Sequence, residues 1–140
     1  MLIWGGASSV GQYAIQLLKY FGYTDILATA SPRNHELLAS YGATKCFDYS
    51  EPDVTEQILR YAASLTTNPD AGLASIPYIL DCIGSSSGSV LPLTHTAQPG
   101  SRVAILLPII LSPSTRTTIP EYSMDTTAYP WSPKIGRAHV

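Results

Sequence analysis

The sequence predicts an α/β fold: a doubly wound parallel sheet with helices on both faces and strand order 3-2-1-4-5. Short apolar runs alternate with segments of helical periodicity over the first two thirds of the 140 residues. These runs are apolar at consecutive positions, which is typical of strands buried on both faces of a parallel sheet. Right-handed crossovers then favour a doubly wound topology. We expect residues 2–4 at its centre because a glycine-rich turn follows them.

The first two strand–helix units are bounded by glycine and proline. Residues 2–4 form the first predicted strand. The helix after it is marked by apolar residues at helical spacing, namely Val10, Ala14, Leu17, Leu18 and Phe21, and Gly22 suits its C-terminal cap. Residues 26–30 form the second strand. Ser31 and Pro32 predict the start of a second helix, with serine as N-cap and proline in the first turn.

Three more strands are predicted at residues 45–49, 78–83 and 102–107. Ser50 and Asp53 resemble a capping box before a third helix that runs to Leu65. A fourth, weaker helix over residues 87–96 is interrupted by Pro92.

The pattern ends near residue 109, where Ser, Thr and Pro become dominant. We therefore expect an incomplete nucleotide-binding domain over residues 1–111 and an unstructured tail over residues 112–140. Residues 135–140 match one reading frame of a common sequencing-library adapter, so we expect them to be non-biological.

Composition excludes several classes of protein. The net charge of −2 gives no electrostatic signature of nucleic-acid or anionic-membrane binding. The longest apolar run, residues 103–111, is far shorter than the roughly 20 residues of a membrane-spanning helix. Cys46 and Cys82 lack the spacing of metal ligands, so we predict free thiols and no metal. These observations predict a soluble, cytoplasmic protein.

The first turn carries the clearest chemical signal. It reads Gly6-Ala7-Ser8-Ser9-Val10-Gly11, a GxSxxG variant of the dinucleotide fingerprint. The first glycine permits a tight turn, and the last allows the helix to pack closely on the strand. Ser8 replaces the middle glycine, where a small residue still permits close approach of a pyrophosphate. A purely structural turn remains the alternative, but the strand before it and the helix after it favour a Rossmann-type nucleotide site.

The end of the second strand indicates which nucleotide would bind. An acidic residue there would bind the ribose 2′-hydroxyl of NAD, whereas an arginine suits the 2′-phosphate of NADP. Ser31 and Arg33 stand at this position, and no carboxylate occurs before Glu36. The sequence therefore favours NADP(H), with a solvated helix residue as the alternative role of Arg33.

Four segments in this order resemble the nucleotide-binding domain of the medium-chain dehydrogenase/reductases. They are LIWGGASSVGQYAIQLLKYFGY, ATASPRNHELLASYGATKCFDY, YILDCIG and GSRVAILLP. The similarity covers about residues 2–108 and includes the zinc-free quinone oxidoreductases and the fungal trans-acting enoyl reductases. It implies an NADP(H)-dependent oxidoreductase that transfers hydride to an activated C=C bond.

The resemblance also implies residue roles. The pyrophosphate would contact Ser8, Ser9 and Val10, and the 2′-phosphate Ser31 and Arg33. Tyr49 would contact the adenosine phosphate. The nicotinamide would be lined by Cys82, Ile83, Gly84, Leu107 and Pro108. No residue of this chain is assigned as the proton donor.

The family pattern extends beyond this chain. It includes an N-terminal domain with most of the substrate cleft, and a last strand that commonly pairs across a dimer. We therefore expect a parent protein that binds its small-molecule substrate mainly through that domain, as a homodimer or beside a polyketide synthase.

Two other functions remain open from the sequence. A nucleotide-binding remnant would bind the cofactor without turnover. A serine hydrolase would use Ser86, within the GxSxG sequence from Gly84 to Gly88, as its nucleophile. The required Asp and His would have to be Asp125 and His139, the latter inside the suspected adapter.

Overall fold

Five short parallel strands lie side by side at the centre of the described structure. The computed structural model describes residues 1–65 and 76–107. The strands are β1 (Leu2–Trp4), β2 (Leu27–Thr29), β3 (Lys45–Phe47), β4 (Tyr78–Asp81) and β5 (Arg102–Ile105). The α-helices are α1 (Ser9–Tyr20), α2 (His35–Tyr41), α3 (Val54–Ser64) and α4 (Leu91–Thr96). A 3₁₀ turn (Pro32–Asn34) precedes α2, and a π turn (Ser86–Val90) precedes α4.

The sheet has the predicted order β3-β2-β1-β4-β5, and every neighbouring pair is parallel. In the register of β1 with its two neighbours, Leu2 faces Leu27 on one side and Ile79 on the other. The order reverses direction beside β1. In an open α/β sheet this reversal leaves a crevice at the carboxyl ends of the strands, where ligands bind.

Each face of the sheet has its own apolar core. One core joins Leu2 and Trp4 of β1 to Ile58 of α3 and Leu93 of α4. The other joins Ile3 to Ile15 of α1 and Leu38 of α2. Alternate residues of β1 thus point to opposite cores, which explains why the strand is apolar at every position.

Helix α1 buries only part of the apolar side that its periodicity suggested. Gly11 and Ile15 are its buried residues, whereas Val10 and Leu17 are 51% and 56% exposed. Periodicity showed that the helix is amphipathic, but α1 is apolar over a wider arc than the sheet covers. The apolar residues of α1 therefore did not by themselves identify which side of the helix is buried.

The glycine predicted to cap α1 is confirmed, and the predicted capping box at Ser50 is wrong. Gly22 adopts a left-handed φ of +84° at the end of α1, as Gly42 does with +118° at the end of α2. The capping box at Ser50 does not form, because α3 starts after Asp53. The backbone N–H and the hydroxyl of Ser50 both donate to Asp48 instead.

The segment after β4 shows how Pro92 fits into a helix. The π turn uses residues 86–90, and α4 then begins with Pro92 in its first turn. At that position proline's missing N–H would have had no partner in the helix. The predicted tail over residues 112–140 lies outside the described residues.

Candidate cofactor site

The glycine turn, which we define as residues 5–11, joins β1 to α1 and is anchored by β2. The N–H of Gly5 donates to the buried hydroxyl of Thr29 at 2.9 Å, and the N–H of Gly6 donates to the carbonyl of Thr29 at 2.8 Å. Thr29 is the last residue of β2. The N–H groups of Gly5 and Gly6 are thus both hydrogen-bonded to β2, and these bonds fix the shape of the turn.

The fingerprint glycines are required by contacts within this turn. A Cβ on Gly11 would lie 2.5 Å from the carbonyl oxygen of Gly5 and 2.8 Å from the Cα of Gly6. On Gly6 it would lie 2.9 Å from the Cβ of Ala28. Gly11 therefore allows α1 to approach the end of β1, which is the role predicted for the last glycine of the motif.

Ser8 is the N-cap of α1. Its hydroxyl accepts a hydrogen bond from the N–H of Gly11 at 3.0 Å. The N–H groups of Ser9 and Val10 belong to the first turn of the helix and so have no carbonyl partner within it. Together with the positive end of the helix dipole, these donors form a site suited to a phosphate group.

Ser31 and Tyr49 meet at the ends of β2 and β3. The two hydroxyls lie 3.1 Å apart. Ser31 makes no side-chain cap bond to the following 3₁₀ turn, so the predicted capping role of its hydroxyl is wrong. Arg33 lies exposed in that turn. The three residues supply two hydroxyls and a guanidinium on one side of the glycine turn.

Asp48 places a negative charge next to Tyr49 in the chain. The N–H and hydroxyl of Ser50 hold its pKa below the ordinary value, and the charge of His35 acts in the same direction. The sequence analysis missed this carboxylate, although its position directly after β3 could have identified it.

The loop after β4, residues 82–89, lies on the other side of the glycine turn; we call it the β4 loop. A Cβ on Gly5 would be 2.5 Å from the side chain of Ile83. Gly84 has a φ of +63°, and a Cβ there would be 2.5 Å from the Cβ of Leu107. The β4 loop therefore touches both the glycine turn and the segment after β5.

Cys82 is half-buried at the start of this loop. Burial raises the pKa of its thiol, a hydrogen bond from Ser8 lowers it, and the charge of Asp81 raises it. The net effect is a pKa above the ordinary value of a cysteine thiol. The thiol forms a second contact between the glycine turn and the β4 loop.

The structure thus brings most of the predicted site residues to one edge of the sheet. The glycine turn, Cys82, Ile83, Gly84 and Leu107 form one connected group, and Ser31, Arg33 and Tyr49 follow the next strands on the other side. Pro108 lies outside the described residues. The sequence analysis missed Thr29, whose hydroxyl accepts from Gly5, and Asp81, whose carboxylate accepts from the N–H groups of Ile83 and Gly84. Their place at strand ends was the signal that could have found them.

Comparisons with known proteins were made by sequence and by fold, and no family model matches the chain. A trans-enoyl reductase from Gibberella fujikuroi is 35% identical over 108 residues, covering 77% of this chain and 27% of that protein. Another, from Talaromyces wortmannii, is 34% identical over 131 residues, covering 92% of this chain and 33% of that protein. A quinone oxidoreductase from Pseudomonas syringae superposes with a TM-score of 0.63 at 20% identity, covering 84% of this chain and 34% of the other.

Over the matched region the chain is similar to proteins of the medium-chain dehydrogenase/reductase superfamily. It spans about a third or less of the length of these relatives. Both of these relatives are named trans-enoyl reductases, and the solved structure supports the fold. The predicted resemblance and the predicted fold class are therefore confirmed.

The described backbone does not support the hydrolase interpretation of Ser86. A nucleophile elbow is a sharp, strained turn, but no non-glycine residue in the described ranges has a positive φ. Ser86 instead opens the π turn.

Residues 1–65 and 76–107 contain no group of three or more His, Cys, Asp or Glu side chains that could hold a metal ion. In that part of the chain no helix is long and apolar enough to cross a membrane.

Proposed function

We propose that this chain forms the NADP(H)-binding part of an oxidoreductase that transfers hydride to an activated C=C bond. The observation that carries the cofactor choice is the group of Ser31, Arg33 and Tyr49 beside the glycine turn. Two hydroxyls 3.1 Å apart and an exposed guanidinium provide donors for a 2′-phosphate. The strand end has no carboxylate before Glu36 that would favour NAD.

Each segment of the site would hold a different part of the cofactor. The N–H groups of Ser9 and Val10, with the hydroxyl of Ser8, would hold the pyrophosphate at the start of α1. Gly6 and Gly11 allow the close approach of turn and helix. The β4 loop and Leu107 would line the nicotinamide end, as would Pro108 by the family resemblance.

The bound cofactor would supply the hydride, and the protein would supply its orientation. Two relatives named trans-enoyl reductases support an enoyl group as the acceptor. We propose that the substrate binds mainly through segments of the parent protein outside the matched region, and that the parent acts in the cytoplasm as a homodimer or beside a polyketide synthase. No side chain of this chain is assigned as proton donor.

The cofactor proposal is tested by Arg33→Glu. A charged hydrogen bond contributes about 1.5–3 kcal/mol, so the variant should lose about tenfold or more in NADPH affinity. NADH affinity should change little, because NADH lacks the 2′-phosphate. Fluorescence titration of both cofactors measures the two effects. Arg60→Glu, the same charge change at an exposed position of α3, is the matched control.

The outcomes separate the alternatives. Equal losses of NADPH and NADH affinity in Arg33→Glu would show that Arg33 is only a surface residue. Binding of NADPH without oxidation by the full-length parent, in the presence of quinone or enoyl-thioester acceptors, would fit the nucleotide-binding remnant. We expect this isolated chain to show no turnover, since hydride transfer requires an acceptor oriented and shielded from water.

A further inference from the structure

Asp81 is a buried carboxylate that the cofactor assignment does not use. It is the last residue of β4 and is 0% exposed. In the sheet register it lies between Trp4 of β1 and Ile105 of β5. A carboxylate is rarely buried in this way unless its oxygens are fully hydrogen-bonded.

Its partners all belong to the β4 loop. One carboxylate oxygen accepts from the N–H of Ile83 at 2.9 Å and from the N–H of Gly84 at 3.1 Å. The other accepts from the hydroxyl of Ser89 at 2.7 Å. Asp81 therefore holds both the beginning and the end of the loop that follows it.

Ser89 and Trp4 complete this network. The buried Ser89 hydroxyl accepts from the N–H of Ser85 at 3.0 Å, and the indole N–H of Trp4 donates to the carbonyl of Gly88 at 3.0 Å. Between these bonds the chain adopts the π turn, with the N–H of Val90 donating to the carbonyl of Ser85 at 2.9 Å. A π turn is an uncommon conformation often found at functional sites, and here buried side chains fix it.

The network determines what the β4 loop offers to a ligand. The N–H groups of Ile83 and Gly84 are directed to Asp81, so these two donors are already used inside the protein. Ile83 remains 40% exposed and packs beside Gly5, while Gly84 packs beside Leu107. The loop thus presents an apolar side chain at a fixed place between the glycine turn and the end of β5.

We propose that Asp81 is a positioning residue for the nicotinamide end of the cofactor: its carboxylate fixes the β4 loop so that Ile83 and Gly84 form one wall of the crevice. The proposal rests on the proposed cofactor function. It predicts that losing Asp81 weakens contacts to the nicotinamide and leaves contacts to the adenosine half intact, because Ser31, Arg33 and Tyr49 belong to other strands.

The test compares two ligands on the intact chain. NADPH contains the nicotinamide, whereas 2′,5′-ADP contains only the adenosine half with its 2′-phosphate. In Asp81→Asn, which keeps the size of the side chain, we expect NADPH affinity to fall about tenfold, the effect of one charged hydrogen bond. The increase in nicotinamide fluorescence on binding should disappear. The affinity for 2′,5′-ADP should stay within about twofold of the unmodified chain, since its contacts are unchanged.

Two further variants provide a second test of the network and a control. Ser89→Ala leaves the carboxylate and its two N–H partners in place, so it should fold if Asp81→Asn does not, and should lower NADPH affinity about threefold. Asp25→Asn removes an exposed carboxylate near the amino end of β2 and should change neither affinity. Circular dichroism of each variant checks that the fold is retained.

The failures are distinguishable. If the unmodified chain binds neither NADPH nor 2′,5′-ADP, the proposed function is wrong. If it binds NADH but not NADPH, the same comparison with NADH and ADP tests Asp81 separately from the cofactor choice. Equal changes for the whole cofactor and its adenosine half, or no change for either in folded Asp81→Asn and Ser89→Ala, would overturn the positioning role.

Discussion

The glycine turn and the β4 loop follow neighbouring strands, β1 and β4, and are fixed in different ways. In the glycine turn, backbone approaches backbone: a Cβ on Gly11 would be 2.5 Å from the carbonyl oxygen of Gly5. In the β4 loop, side chains buried at strand ends hold the backbone: Asp81 binds the N–H groups of Ile83 and Gly84. The close approach in the glycine turn therefore depends on residues that lack a side chain, whereas the shape of the β4 loop depends on buried polar side chains.

This difference determines what a substitution can do in each region. A backbone carbonyl held by its own turn cannot move aside for an added methyl group, whereas an exposed side chain can rotate. Removing a buried side chain that accepts a hydrogen bond has a third effect, since it leaves a buried N–H donor without a partner. The predictions below test these three cases.

The largest effect is expected for Gly11→Ala. Its Cβ would meet three backbone atoms of the glycine turn at 2.5–2.8 Å, so α1 would have to move away from β1. Overpacking usually costs about 1–3 kcal/mol, and we expect a loss of unfolding free energy of about 3 kcal/mol because the colliding atoms are backbone. Urea denaturation measures it.

The matched control for Gly11→Ala is Gly100→Ala. Gly100 has a φ of +93° and no atom within 4 Å of an added Cβ. This variant should therefore show only the conformational cost of a left-handed residue, about 1–2 kcal/mol. Gly11 has no positive φ and lacks this conformational cost, so an unchanged unfolding free energy in Gly11→Ala would mean that the close approach of α1 does not limit stability.

The same contrast explains how much of the site was predictable. Gly6 and Gly11 identify the glycine turn in the sequence because only glycine tolerates these contacts, and because the two residues lie close together in the chain. Asp81 and Ser89 are eight residues apart, and their hydrogen bond depends on a π turn that has no sequence signature. The strand order followed from the alternation of strands and helices and from the glycine turn after β1, whereas the buried side of α1 depended on which neighbours cover it. Local backbone constraints were predictable, and side-chain networks across a loop were not.

An intermediate effect is expected for Thr29→Val, which tests the side-chain anchor that β2 provides for the glycine turn. Valine keeps the shape of threonine but removes the hydroxyl that accepts the N–H of Gly5. An unsatisfied buried donor costs about 1–3 kcal/mol, and the unfolding free energy should fall by that amount.

The control for Thr29→Val is Thr29→Ser, which retains the hydroxyl. Its loss should come from the missing methyl group, about 0.8 kcal/mol for a buried CH₂-sized group. Amide hydrogen exchange at Gly5 adds a direct observation, since it should accelerate in Thr29→Val more than in Thr29→Ser. If both variants exchange equally, the hydroxyl does not anchor the turn.

The smallest effect is expected for Gly5→Ala, although its added Cβ would also approach neighbouring atoms to 2.5–2.6 Å. Those atoms are the outer carbons of the Ile83 side chain, which is 40% exposed and can turn toward solvent. The remaining cost is that of a left-handed alanine at φ +84°, about 1–2 kcal/mol. Ile83→Ala in the same background keeps a Cβ but removes those outer carbons, so it should recover only the part due to crowding. Double-mutant unfolding curves measure this coupling, which we expect to be below about 0.5 kcal/mol. A coupling as large as the whole Gly11→Ala effect would show that the Ile83 side chain is as fixed as the backbone. The distinction between the two regions would then fail where the glycine turn meets the β4 loop.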